Sequence, residues 1–406
     1  MNNDNERKAD EIRVADFVRP FSEESTTGIF RYTVAGIIIL GVCVSIYFYP
    51  QLRNAWIILG SQIQNTVPQP TQNTSQIAEL SATLGVTGVP AALLNGPDLD
   101  VNFDRLRREA CDRTALMNFA TKLAEIGYPR DAANALAIFA SRCGNGDDAL
   151  YAAANILMNI SDYNGVIKIS SGLVESLPTS PDVRYMRGQA FQAIGKFEQA
   201  ISDYVSTIEL VPGIKKVSSR VFTDLAGAYA SLKRYCEAID PIQMWIAADP
   251  SERDTTQARA LISDYAKKGA CELDYAKGSD RFFTQGSDVI KAKVEINGVP
   301  GTFIIDTGAS LVSMTASYAK RAKVRVDETN RIRLQTANGN TEGLLGVAQD
   351  IRMGRLQAKD VAIVVGIEKA SPFGQDVDGL LGMSFLARYE VAVVGREMRI
   401  KERRGF

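Results

Sequence analysis

Small residues recur at nearly constant intervals through the middle of the chain, and this periodicity limits the possible folds more than any other feature. The spacings are 34, 34 and 38 in the series Ala120, Ala154, Gly188 and Ala226. A second series of mostly small residues has the same spacing: Ala132, Val166, Ala200 and Ala238. A series of large residues lies between the two: Leu123, Leu157, Phe191 and Tyr229. Between these positions the apolar residues follow a helical period, so the repeat predicts stacked helix pairs that touch at the small residues. We therefore predict an all-α solenoid of four helix pairs over residues 101–275, with a longer connection around 213–219 and a capping helix over 255–268.

One unit of this pattern, residues 183–212, is specific enough to compare with a known family. It carries Gly188, Phe191, Ala200, Tyr204 and Pro212 at its small, filler and terminal positions. In these positions it resembles a tetratricopeptide repeat. The resemblance implies a concave surface for peptides or partner proteins, although a spacer or a dimerisation element remains the alternative.

Four of the five cysteines lie at the ends of the predicted helices. Sequence alone allows three pairings, but antiparallel packing within the repeats favours Cys111–Cys143 and Cys236–Cys271. An oxidising compartment would permit both disulfides, whereas four buried free thiols remain the alternative.

Residues 32–50 form a predominantly apolar, uncharged segment. This segment is long enough for a transmembrane helix. A cleaved signal peptide fits less well, because a long charged stretch precedes the segment and no small-residue cleavage site closely follows it. Lys and Arg are more frequent before the segment than after it, which predicts a cytoplasmic tail at 1–31 and extracytoplasmic domains, periplasmic in a Gram-negative cell. Residues 51–100 are predicted to be a linker, flexible over 60–97 because of their Gln, Asn, Ser, Thr, Pro and Gly content, with room for a short helix over 74–84.

Composition excludes several classes of function. The chain has 46 Lys and Arg against 47 Asp and Glu, a net charge of −1, so nucleic acid is not an expected partner. It contains no histidine, which excludes Ser-His-Asp triads, Cys-His pairs and imidazole metal ligands. No P-loop or dinucleotide-binding glycine motif opens a predicted helix.

After residue 278 the pattern changes to short β-type runs. Residues 289–296 and 302–305 flank Asn297-Gly298, a strong hairpin turn signal. The second run leads directly into Asp306, followed by the active-site loop residues Thr307, Gly308, Ala309 and Ser310. The end of a buried strand, followed by a glycine-bearing turn, is a suitable place to display a reactive carboxylate.

These residues resemble the retropepsin-like aspartic proteases, single-domain relatives of pepsin. A second match is Leu380-Leu381-Gly382, which in that family packs behind the active-site loop and precedes a helix, here expected over 383–388. A third lies at 335–340, where the family places its flap and where Ala337, Asn338 and Gly339 stand. The resemblance implies an all-β aspartic protease domain over residues 280–406, so that the whole chain is a multidomain protein with one transmembrane helix, a helical solenoid and this domain.

The resemblance also implies a mechanism. Two aspartates share one proton, and the ionised one activates a water molecule while the other protonates the substrate carbonyl, without a metal or cofactor. Because the chain has one such motif, the second carboxylate is expected to be Asp306 of another copy, in a homodimer. Thr307 would brace the two loops and Gly308 would allow the turn, whereas Asp378 is expected to have a packing role. The chain continues after the predicted helix through 391–394 and 398–401, which leaves open how the dimer interface is built.

The sequence thus predicts a membrane-anchored aspartic endopeptidase that cleaves protein or peptide substrates, with repeats that recruit a substrate or partner. An alternative is a non-catalytic envelope scaffold whose pepsin-like domain only dimerises. Another is a cytoplasm-facing regulator, which would require the reverse membrane topology.

Overall fold

The computed structural model describes residues 72–97, 99–144, 146–271, 275–283, 289–336, 339–367 and 373–403 of the 406-residue chain. The predicted cytoplasmic tail, the predicted span over 32–50 and the first part of the predicted linker lie outside these residues. Among the described residues, no helix combines the length and the apolar character needed to cross a lipid bilayer.

The described part of the predicted spacer is folded. It forms helices α1 (Gln72–Thr83) and α2 (Ala91–Leu94), followed by α3 (Asp100–Arg108). Its apolar residues are buried in the same core as the first repeats: Ile77, Leu84, Val86, Val89 and Leu94. The short helix expected over 74–84 is present as α1, whereas the expected flexibility up to residue 97 was wrong from residue 72 onward, because these few apolar residues pack on the first repeats.

The solenoid consists of paired helices that pack on their neighbours along the chain. The helices are α4 (Arg113–Glu125), α5 (Pro129–Cys143), α6 (Asp147–Asn159), α7 (Tyr163–Ser176), α8 (Pro181–Ala193), α9 (Phe197–Leu210), α10 (Ser219–Ser231), α11 (Tyr235–Ala248), α12 (Pro250–Arg253) and α13 (Thr256–Gly269). The small residues lie at the helix contacts. At Gly188 a Cβ atom would come within 2.8 Å of Tyr204 Cε1, which explains why glycine stands there.

Both cysteine pairs named from the sequence form disulfides. Cys111 and Cys143 join the start of α4 to the end of α5, and Cys236 and Cys271 join α11 to the residues after α13, each with a Cα–Cα distance of 5.6 Å. The connection between α9 and α10 contains a short 3-10 helix, Ile214–Lys216, within the predicted insertion.

The C-terminal part is a β domain. Its strands are β1 (Ala276–Lys277), β2 (Ser279–Phe283), β3 (Ile290–Ile296), β4 (Val299–Ile305), β5 (Val312–Met314), β6 (Arg325–Thr336), β7 (Gly339–Met353), β8 (Leu356–Gly366), β9 (Gly379–Leu381), β10 (Tyr389–Val394) and β11 (Glu397–Glu402), with helices α14 (Ala316–Arg321) and α15 (Met383–Leu386). The larger sheet has the order β1-β8-β5-β9-β4-β3-β7-β6, and a further β7–β8 pairing curves it back on itself. The smaller sheet has the order β10-β11-β2. Helix α15 is shorter than the predicted 383–388.

The solenoid and the β domain share one hydrophobic core. The cluster that begins at Ala200 in α9 continues through α10, α11 and α13 into the strands and ends at Ile400, whereas the earlier helices form a separate cluster from Ile77 to Ala190. A buried ion pair crosses the junction, in which Arg388 donates to both carboxylate oxygens of Asp240 at 2.9 and 2.7 Å. The division between the two cores therefore falls inside the solenoid rather than at its end.

Candidate active site

Strand β4 delivers Asp306 to the surface at the end of a buried run. The strand pairs in parallel with β9, and the Asp306 N–H continues this ladder by donating to the Leu381 carbonyl at 3.1 Å. Asp306 is half-buried, and its Oδ1 accepts the N–H of Gly308 at 2.8 Å. The carboxylate is therefore held by its own loop while part of it remains open to solvent.

The loop residues after Asp306 divide into an exposed and a buried part. Thr307 and Gly308 are exposed, Ala309 is half-buried, and Ser310 is buried. At Gly308 the constraint is close approach rather than an unusual backbone angle, since a Cβ atom there would lie 3.1 Å from Asp306 Oδ1, a tight contact. A side chain there would crowd the carboxylate.

The Leu380-Leu381-Gly382 element packs directly behind this loop. The N–H of Met383 donates to the Ala309 carbonyl at 2.8 Å, and the N–H of Ser384 donates to the Ser310 carbonyl at 2.9 Å. A Cβ atom at Gly382 would lie 2.2 Å from the Leu311 carbonyl oxygen, so only glycine lets the two segments approach this closely. The loop is thus supported along its length by the start of α15.

Strands β6 and β7 form the long hairpin in which the sequence predicts a flap. Thr336 pairs with Gly339 at its tip, and Gly339 has a φ of 108°, which favours glycine. The other two predicted flap residues, Ala337 and Asn338, lie outside the described residues.

Asp378 occupies a structural position. Its Oδ2 accepts the Thr302 N–H at 3.0 Å, and its Oδ1 accepts a hydrogen bond from Arg321 at 3.1 Å. These contacts tie the residue before β9 to β4, so Asp378 holds strands together.

Helix α9 of the solenoid contacts the flap strand. The Ser202 hydroxyl donates to the Arg331 carbonyl at 3.0 Å, and the Arg333 N–H donates to Ser206 Oγ at 3.2 Å. Strand β6 is at the edge of the larger sheet, and no described strand pairs with these two backbone groups on that side. The two serine hydroxyls supply the missing partners.

One helical turn further along α9, Glu209 lines a cavity together with Ser310 of the Asp306 loop. Burial raises the pKa of Glu209 to about 7, and the nearby Ser310 side chain has a smaller effect that lowers it. Its Oε1 is buried without a hydrogen-bond partner. This cavity of about 20 Å³ adjoins the group at the junction of α9, α10 and α11 with the loop.

Sequence analysis did not identify the contribution of the solenoid to this site. In the sequence, Ser202, Ser206 and Glu209 look like ordinary polar residues of an amphipathic helix. Their spacing of four and three residues does place them on one helix face, but nothing in the sequence indicates that the β domain covers that face.

Comparison with known proteins supports the resemblance of the β domain to aspartic proteases. Residues 292–385 match the family model described as aspartyl protease. The C-terminal part of the chain is therefore an aspartyl protease-like domain, as predicted. No curated protein matches the chain in a sequence comparison.

Solved structures show similarity to each part of the chain separately. A retropepsin-like aspartic protease from Rickettsia conorii is 20% identical, covering 31% of this chain and 91% of its own, with a TM-score of 0.24. MamA from Desulfovibrio magneticus RS-1 is 17% identical over 39% of this chain and 85% of its own, with a TM-score of 0.33. The Sgt2 TPR domain from Aspergillus fumigatus is 20% identical over 32% of this chain and 82% of its own, with a TM-score of 0.27.

Proposed function

We propose that this chain is an aspartic endopeptidase that hydrolyses peptide bonds in protein substrates, with Asp306 as its catalytic residue. The main support is the position of Asp306, a half-exposed carboxylate at the end of a buried strand, on a loop held from behind by Gly382 and α15. The aspartyl protease family match spans this loop and its supporting element. The long β6–β7 hairpin provides a flap that can close over an extended substrate.

The second carboxylate comes from another copy of the chain in this proposal. Hydrolysis by an aspartate pair needs one ionised member to activate water and one protonated member to donate to the carbonyl oxygen. Asp378, which precedes the Leu380-Leu381-Gly382 element, is engaged with Thr302 and Arg321. The exposed Thr307 is available to contact the same loop of a second copy.

The smaller sheet offers a surface for that pairing. Its strand β10 pairs with β11 on one side, and no described strand covers its other edge. The side chains of Phe283, Val393 and Val394 on this sheet are 62%, 62% and 59% exposed. An edge strand with exposed apolar residues favours association with another chain, and here a second copy is proposed.

The remaining parts of the proposal concern recruitment and location. The tetratricopeptide-like solenoid would recruit a substrate or partner protein, and residues 32–50 would anchor the chain in the inner membrane with residues 51–406 in the periplasm. Two chains held in one membrane would meet at a higher effective concentration.

The catalytic assignment is tested by Asp306→Asn in the full chain, with cleavage of a mixed peptide library as the assay. Asp376→Asn is the matched control, because Asp376 is exposed in the same domain and has a φ of 58°, which asparagine accepts. Loss of cleavage in the first variant alone supports the proposal. Equal cleavage in both variants contradicts it and favours a non-catalytic scaffold.

The shared active site is tested by mixing wild-type chains with Asp306→Asn chains in equal amounts and allowing subunits to exchange. If each active site needs Asp306 from both copies, random pairing leaves about one quarter of the activity of the same total amount of wild type. A remaining activity of about one half would instead indicate that each chain works alone.

A further inference from the structure

Helix α9 is buried on all sides although it carries several polar residues. Every residue from Ala200 to Ile208 is buried, and Ser202 and Ser206 are among them. A helix at the surface of a repeat protein normally keeps one polar face in water. Here strand β6 of the proposed flap lies against that face, so the β6–β7 hairpin is packed on the solenoid.

Two serines make this contact specific. The Ser202 hydroxyl donates to the Arg331 carbonyl at 3.0 Å. Ser206 Oγ accepts the Arg333 N–H at 3.2 Å and donates to the Ser202 carbonyl at 2.8 Å. Serines inside a helix usually bond back to the preceding turn, as Ser206 does, whereas the Ser202 hydroxyl donates outward to the strand. Helix α9 thus supplies one donor and one acceptor to the edge of the hairpin.

The serine contacts reach the same level of the hairpin as the sheet does on the other side. The pairing of β7 with β8 extends to the Ile367 N–H, which donates to the Glu342 carbonyl at 3.3 Å. Glu342 pairs with Arg333 across the hairpin, and their side chains form an ion pair at 3.0 Å. From this level toward the tip, residues 334–336 pair with 339–341. The level of Arg333 and Glu342 is therefore the base of the hairpin's outer part.

The position of this outer part depends on how its base is held, because a two-stranded ribbon is only marginally stable by itself. Strand β8 holds the base on the β7 arm, and the two serines of α9 hold it on the β6 arm. Arg333 lies three residues before Thr336, about 10 Å along the strand. A small shift at the base is therefore enlarged at the tip.

We propose that Ser202 and Ser206 are positioning residues of the protease, which fix the base of the flap so that it closes on the substrate in one defined position. For its effect on activity this inference rests on the proposed function, whereas its effect on the hairpin does not. Without the two hydroxyls, the β6 arm loses its partners on the solenoid and has more positions available. Substrate binding must then order a looser flap, which weakens binding but leaves the chemistry at Asp306 unchanged.

The first test measures hydrogen exchange of the peptide that contains residues 331–342 in the full chain. In the double variant Ser202→Ala/Ser206→Ala we expect exchange about tenfold faster than in the wild type, with a smaller rise in each single variant. Ser170→Ala is the matched control, because Ser170 is a fully buried serine of α7 that donates to the Val166 carbonyl of its own helix at 2.6 Å. It should leave the exchange of this peptide as in the wild type.

Two results would overturn the inference. One is an unchanged exchange rate of this peptide in the double variant. The other is an equal rise in Ser170→Ala, which would trace the effect to a general loss of stability. If far-UV circular dichroism shows that the double variant does not fold, the two single variants decide the question by the same comparison.

The second test separates KM from kcat for one library peptide that the wild type cleaves. In the double variant we expect KM to rise about fivefold to tenfold while kcat stays within about twofold of the wild-type value, and Ser170→Ala should change neither. A fall in kcat at constant KM, or no change in either, contradicts the positioning role. If the wild type cleaves no peptide while the exchange result holds, the proposed protease function fails and the role of the serines in the hairpin stands.

Discussion

The ion pair between Asp240 and Arg388 allows a quantitative test of how tightly the solenoid and the β domain are joined. Their side chains are 5% and 1% exposed. Arg388 uses all five of its N–H donors, two on Asp240 and three on the carbonyls of Tyr275, Lys359 and Asp360. The Tyr275 hydroxyl also donates to Asp240.

Removing one partner leaves the other as a buried, uncompensated charge. Asp240→Leu or Arg388→Met alone should therefore lower the free energy of unfolding by about 3–5 kcal/mol each. The double variant has no buried charge, but it leaves the Tyr275 hydroxyl and three carbonyls without these partners, so we expect it to lose about 2–4 kcal/mol. The double loss should thus be well below the combined losses of the single variants, by about 2 kcal/mol or more.

Urea unfolding of the full chain, followed by far-UV circular dichroism and by tryptophan fluorescence, to which Trp245 on α11 and Trp56 contribute, measures these differences. The control cycle uses Asp264→Asn and Lys268→Gln, an exposed pair on α13, which should show negligible coupling. Additive losses at Asp240 and Arg388 would refute the reasoning, because they would mean that neither charge depends on the other. Separate transitions for the two probes would show that the junction is not part of one cooperative unit.

Further predictions concern the loop, its neighbour and the disulfides. Gly382→Ala should destabilise the fold by about 1–3 kcal/mol, measured by the urea midpoint, because its Cβ atom would meet the Leu311 carbonyl; an unchanged midpoint would contradict the packing role. Burial raises the pKa of Glu209 from 4.5 to about 7, so the folded state binds this proton more tightly between these pH values. The free energy of unfolding of the wild type should therefore fall by about 3 kcal/mol relative to Glu209→Gln as the pH rises from 4.5 to 7, and then level off. Parallel curves of unfolding free energy against pH for the two chains would disprove this. Replacing Cys236 and Cys271 together by Ser should cost about 3–4 kcal/mol, since the disulfide closes a loop of 35 residues; a thermal midpoint equal to that of the wild type would argue against this.

The helical repeat could be predicted because its packing leaves a local and periodic trace. Gly188 stands where the ring of Tyr204 leaves no room for a side chain, and the small residues at the equivalent positions of the other helix pairs, Ala120, Ala154 and Ala226, are buried. The hairpin before the Asp306 loop was predictable for a similar reason. Its turn residues Asn297 and Gly298 have φ values of 51° and 79°, the backbone conformation that this dipeptide favours.

The candidate site was predictable only as far as it lies within one short motif and its supporting element. Asp306 and Gly382 are 76 residues apart, and their relation was inferred from a family resemblance rather than from physical chemistry alone. Glu209 and Arg388 could not be identified, because burial of these charged residues results from the contact between two domains. A single sequence carries no periodic signal of such a contact.

The division of the hydrophobic core has a practical and evolutionary consequence. A fragment that starts at residue 275, where the strands begin, would contain every residue of the candidate catalytic loop, yet it would leave bare the apolar surface that α9, α10, α11 and α13 cover. We expect such a fragment to precipitate, whereas one that starts ahead of α9 keeps its covering helices. If the gene arose by joining a repeat protein to a protease-like domain, the helices from α9 onward have since become part of that domain's core, and any recombination that exchanges repeats should preserve them.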